Sequence, residues 1–160
     1  MSGFTNVLSD HPRAPASLDV PQPRHGAVAL TADASQVRIA RRFVATLVTG
    51  WGIEAELVDS VVLVVGELAA NAAEHGGSYM YVSAVLAGAE LCVNVTDLGP
   101  RAMSAVPAAG EERGRGLGIV DCLADWFDVT HRPQAHTACV GFHVPGAGSR
   151  QVPCEQFTAT

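Results

Sequence analysis

A chain of 160 residues with 48% hydrophobic and 16% charged side chains is long enough for one domain with a sizeable core and too apolar to remain disordered. Its net charge of −6, with ten basic residues that are all arginine and form no long patch, speaks against a nucleic-acid-binding surface. No apolar run approaches the roughly 18–20 residues that cross a bilayer, and MSGFTNVLSDHPRAP lacks a basic-then-apolar leader pattern, so a cytoplasmic protein away from membranes is expected.

Residues 1–25 carry Pro12, Pro15, Pro21 and Pro23 among small and polar residues without periodicity, and read as a flexible arm. GAVAL (26–30) is a short strand. TADASQVRIARRFVATLVTGWG follows as a helix with Asp33 as N-cap, Ile39, Phe43 and Leu47 on one side, and Gly50 at its end. Arg38, Arg41 and Arg42 on that helix read either as a solvated face or as a docking patch for an acidic partner. A second helix runs from Glu54 or Glu56 to His75 and is stopped by Gly76-Gly77. YMYVSAVLAGAELCVNVTD (79–97) is a hairpin turning at Ala87-Gly88-Ala89, and its second strand puts Leu91, Val93, Val95 and Asp97 on one face. A loop over 99–116 leads into the helix LGIVDCLADW, and FDVTHRP with TACVGFHV supplies two further strands. Residues 146–160 read as a loose C-terminal tail, which leaves one domain over 26–145. The expected architecture is α+β, an antiparallel-leaning sheet with about three helices stacked on one face. Cys92, Cys122, Cys139 and Cys154 show no C-x-x-C spacing and suggest neither a zinc site nor a disulfide framework; Cys92 and Cys139 read as small buried hydrophobes.

Three segments carry candidate chemistry. On the second helix, Glu67, Asn71 and His75 recur at i, i+4 and i+8, so they lie along one side of an otherwise apolar helix. That stripe is either the solvent edge of a half-buried helix or a polar wall facing a ligand. Asp97-Leu98-Gly99-Pro100 could be an ordinary Asx turn. The core-facing parity of Asp97 instead asks for a buried donor, for which a purine exocyclic amine is suitable, with Gly99 allowing close backbone approach to a flat ring. Gly114-Arg115-Gly116-Leu117-Gly118 opens a helix, where converging N–H groups and the helix dipole favour an anion such as phosphate; Arg113 and Arg115 beside Glu111 and Glu112 could equally be a surface ion-pair cluster.

The order of these segments, E-x-x-x-N on a helix, D-x-G-P at a strand end, then G-R-G-L-G-I-V opening a helix, resembles the histidine-kinase-like ATPase family with the Bergerat fold. ELAANAAEHGG and GRGLGIVDCLADWFDV are similar to its small anti-sigma-factor serine/threonine kinases, a resemblance covering about Ala27 to Val144. It implies a two-layer α/β sandwich with a mixed, mostly antiparallel sheet. It implies an Mg-ATP-dependent protein kinase in which Glu67 is the general base, Asn71 a Mg²⁺ ligand and Asp97 the acceptor of the adenine amine. Gly99 and Gly114 to Gly118, with Arg115 and Leu117, would contact the nucleotide, as would Thr137 on the last strand. The segment 101–113 would be a lid, and His75 would pack at its helix end. The implied partners are a sigma factor, which the kinase sequesters, and an antagonist protein, which it phosphorylates on serine or threonine; related kinases commonly pair as homodimers. The lid is short and Ala-rich, and Ala135-His136-Thr137 stands where the family usually shows a glycine and a basic or small residue before a threonine. The alternative function is therefore a partner-sequestering module of the same fold that uses nucleotide weakly or not at all.

Overall fold

The computed structural model describes residues 22–75, 77–99 and 115–146. The expected arm up to residue 21, the segment 101–113 with Pro100 and Gly114, and the tail from 147 lie outside the described residues, as do the side chains of His75 and Arg115.

The described chain runs β1 (Arg24–Thr31), α1 (Ala34–Gly50), α2 (Ala55–His75), β2 (Tyr79–Ala87), β3 (Glu90–Leu98), α3 (Arg115–Leu123), β4 (Trp126–Arg132) and β5 (Ala135–His143). The strands form one sheet in the order β1-β2-β3-β5-β4, with every neighbouring pair antiparallel. This is the α+β, Bergerat-type sandwich that the motif order implies.

The alternation of side chains along each strand sorts the sheet into two faces. On one, Met80, Val82 and Ala84 of β2, Leu91, Val93 and Val95 of β3, and Val140 and Phe142 of β5 are buried against the helices. The helices answer with α2, where Val61, Val64, Val65, Leu68, Ala69 and Ala72 repeat at three- and four-residue intervals and are almost fully buried. α1 packs along α2. Its buried row is Ala40, Val44 and Val48, with Phe43 and Leu47 at the margin and Ile39 45% exposed. The sequence reading centred the apolar face on Ile39, Phe43 and Leu47; the neighbouring row of smaller side chains is the one in the interior.

Local chemistry fixes the element ends. Asp33 caps α1 by accepting from the Ser35 amide at 2.9 Å, and its other oxygen takes the Thr31 hydroxyl at 2.6 Å. α1 extends through Gly50, and the turn beyond it uses Gly52 at φ +81°, a conformation an L side chain resists. The β2–β3 hairpin turns at Gly88, φ +60°.

Two further differences from the sequence reading matter below. β1 starts at Arg24, two residues before GAVAL, because its register with β2 continues to Arg24 opposite Leu86. Cys92 is buried, yet it is disulfide-bonded. Spacing rules look for local pairs, whereas a disulfide needs only proximity in space.

Candidate functional site

Leu91, Val93 and Val95 bury their side chains on the helix face, and the alternation then delivers Asp97 to the same face at the end of β3. It retains 6% of its accessible surface and is the one buried charged group among the described residues. A carboxylate so placed loses hydration and requires donors. The Gly77 amide supplies one, donating to Asp97 Oδ1 at 2.6 Å.

That bond joins the end of α2 to the end of β3, and the surrounding backbone tightens the joint. The Ser78 amide donates to Leu98 O at 3.0 Å and the Gly99 amide to Gln134 O at 3.1 Å. Two glycines permit the approach. A Cβ on Gly77 would sit 2.3 Å from Leu98 O and 2.6 Å from Gly99 Cα, and Gly99 adopts φ +124° with its missing Cβ aimed at the Ser78 amide. Gly99 thus serves this main-chain contact.

Upstream of this joint, Asn71 and Glu67 stand one and two turns before the helix end, roughly 6 and 12 Å along its axis. Asn71 is exposed and Glu67 half-buried. They flank the buried stripe of α2, and neither side chain has a hydrogen-bonding partner among the described residues. Both offer hard oxygen donors, the type Mg²⁺ accepts from protein while phosphates and water complete its shell, so this pair fits such an ion. α3 packs against α2 and begins at Arg115, earlier than the sequence reading placed it. Gly116, Leu117 and Gly118 therefore lie in its first turn, where the backbone N–H groups have no intrahelical acceptor. Leu117 is half-buried, and Gly118 is exposed with open space where a Cβ would stand.

Thr137 is not brought to this face. It shares the opposite face with Thr96, the two hydroxyl oxygens 3.0 Å apart. The residue directly across from Asp97 is His136, whose Nδ1 lies 2.6 Å from Nδ1 of His131 on β4. A row His131, His136, Asp97, Met80, Leu30 thus crosses the helix face of the sheet at this end. His136 shares strand parity with Val140 and Phe142, which is the signal that could have placed it there. Gly77 was read only as a helix stop, and its bond to Asp97 joins positions 20 apart in sequence.

The fold that carries these residues is that of an ATPase type of domain. The sequence matches the histidine kinase-like ATPase domain family, HATPase_c_2, over residues 30–141, well over half its length, and the chain belongs to that family. Among solved structures it is similar to "The crystal structure of the RsbU and RsbW domains of Rv1364c from Mycobacterium tuberculosis", with a TM-score of 0.59 and 22% identity, a likeness of fold. The match covers 81% of this chain and 35% of that one. No sequence among the curated proteins matches. No helix among the described residues is long and apolar enough to cross a membrane.

Proposed function

We propose that the chain is an Mg-ATP-dependent protein serine/threonine kinase of the anti-sigma type, which phosphorylates an antagonist protein and sequesters a sigma factor. Membership of the ATPase family supports the nucleotide, and the similar structure that contains an RsbW domain supports the kinase class. The observation that carries the reading is Asp97, buried on the helix face and tied through Gly77 to the helix that bears Asn71 and Glu67.

In this reading Asp97 accepts the exocyclic amine of adenine, and the joint to Gly77 holds its carboxylate in place for that bond. The amide oxygen of Asn71 holds Mg²⁺, which when bound neutralises charge on the phosphates. Glu67, one turn further, orients the attacking hydroxyl and takes its proton. The first-turn amides of α3, from Arg115 to Gly118, bind phosphate oxygens together with the Arg115 side chain and Gly114. A cytoplasmic location and a homodimer belong to the same reading; light scattering checks the latter.

Transfer of radiolabelled phosphate from ATP to the cognate antagonist tests it. Glu67→Gln should bind Mg-ATP as the wild type does and lose transfer; full transfer by that variant would remove Glu67 as base. A second reading, a sequestering module with little use for nucleotide, is favoured by His136 rather than a threonine facing Asp97. Calorimetric titration separates the two, since binding of Mg-ATP tighter than about 0.1 mM, near −5.5 kcal/mol, contradicts a nucleotide-free role.

A further inference from the structure

The hairpin of β4 and β5 carries two imidazoles that the kinase reading does not use. His131 and His136 stand directly opposite each other in its register, one pair away from the turn at Pro133-Gln134. Opposed side chains on one face of an antiparallel pair are brought close by the backbone alone. Here they converge further. Nδ1 of one ring lies 2.6 Å from Nδ1 of the other, with ring centroids 4.9 Å apart and the planes at 66°. Each Nδ1 has a single in-plane position for a proton or a lone pair, so both nitrogens face the same small region between the strands. A hydrogen bond accounts for that contact when one nitrogen carries a proton and the other does not. It accounts less well for the place, because His131 is exposed and His136 half-buried, and a neutral bond that water can replace contributes little.

We propose that His131 and His136 form a bidentate site for a divalent transition-metal ion of the Zn²⁺, Ni²⁺ or Cu²⁺ class, held through both Nδ1 atoms. Imidazole nitrogen suits these ions, whereas Mg²⁺ takes oxygen, so the site differs in chemistry from the Asn71 and Glu67 flank of α2. The geometry is near what they require. Two nitrogens about 2.0–2.1 Å from one ion, subtending roughly 90–110°, lie ~2.8–3.4 Å apart. The rings must then open by less than about 1 Å, which side-chain rotation supplies while the hairpin backbone stays in place. No third histidine, cysteine or carboxylate completes a cluster among the described residues, so the remaining positions fall to water or to a donor from another molecule.

Asp97 is next to His136 in the row across the sheet, with Oδ1 engaged by the Gly77 amide. It is a neighbour of the site and not a ligand, and its charge favours a cation there. The exposed His131 gives the ion its way in. Binding requires the shared proton to leave Nδ1; on the exposed His131 ring it is carried at Nε2 instead, so a neutral pair takes up the ion without a net loss of protons. The site uses neither nucleotide nor Mg²⁺ and stands or falls apart from the kinase reading.

Nickel chloride alone, titrated calorimetrically into the full chain without nucleotide, tests the assignment. The wild type should bind Ni²⁺, and His131→Ala and His136→Ala should each weaken that binding by at least roughly tenfold, since one of two ligands to a shared ion is gone. His25→Ala and His143→Ala, exposed positions on the other face of the sheet, should bind as the wild type does. Ni²⁺ is paramagnetic and should broaden the amide resonances of His131, Arg132, Ala135 and His136 before those of any other segment. His131→Ala, at an exposed position, should keep the metal-free unfolding midpoint and lose the rise that Ni²⁺ gives the wild type. Three results would overturn the proposal: wild-type affinity no better than that of His131→Ala, which would leave the pair a hydrogen bond alone; an equal loss in His25→Ala or His143→Ala; or broadening centred on another histidine or on a cysteine.

Discussion

Replacing Asp97 by Asn separates two duties that a single carboxylate is asked to perform. The substitution keeps the shape and one acceptor oxygen, so the Gly77 amide, 2.6 Å away, still has a partner. What is lost is the charge. A hydrogen bond to a charged group contributes about 1.5–3 kcal/mol and a neutral one about 1, so the joint between α2 and β3 should weaken by about 1 kcal/mol, lowering Tm by about 2–4 °C in a chain of this size. A purine amine that donates to the same carboxylate loses an interaction of about 1.5–3 kcal/mol, which is a fall in ATP affinity of roughly 10- to 100-fold. Thermal unfolding and calorimetric titration with Mg-ATP on the same preparation measure both. If Tm drops while affinity stays within about twofold of wild type, Asp97 is a structural clasp and not the reader of the base.

Gly77→Ala should be worse for stability than its size suggests, because the added methyl meets the main-chain atoms Leu98 O and Gly99 Cα and neither can rotate away. A loss of about 1–3 kcal/mol in chemical denaturation, with loss of nucleotide binding, is expected; wild-type stability would show that the joint is looser than described. Asn71→Ala should leave the unfolding midpoint unchanged, since Asn71 is exposed, and should abolish the Mg²⁺-dependent part of ATP binding in calorimetry. The cap of α1 supplies a pH dependence. Hydrogen bonds from the Ser35 and Thr31 hydroxyls hold the Asp33 carboxyl below its ordinary value of 3.8. Its contribution is therefore present above that value and disappears as pH falls through the depressed one. The stability gap between wild type and Asp33→Ala should accordingly close in acid denaturation below about pH 4.

Much of this organisation was legible because it is periodic or locally encoded. Strand alternation alone put Asp97 on the core face, and a single Asp before a run of helix formers identified the cap of α1. The failures share a different cause. Thr137 was assigned by motif order although its own parity set it with Thr96 on the outer face, and the same parity would have chosen His136. The Cys92 bridge and the bond from Gly77 to Asp97 are contacts across sequence, with no periodic signature. The inward row of α1 was misplaced by one position because large apolar residues draw attention, while Ala40 and Val44 take up less room where α1 lies along α2.

Gly77 and Gly99 touch through main chain, not through side chains that could repack. The end of α2 therefore cannot swing outward without pulling the end of β3 after it, and the interval between Asn71 and Asp97 is set by covalent geometry and helix pitch. A guest that bridges that interval meets a gauge cut to length in advance. The entropy of bringing its two ends to the right separation was spent when the chain folded, and none of it has to be recovered from the contacts the guest makes.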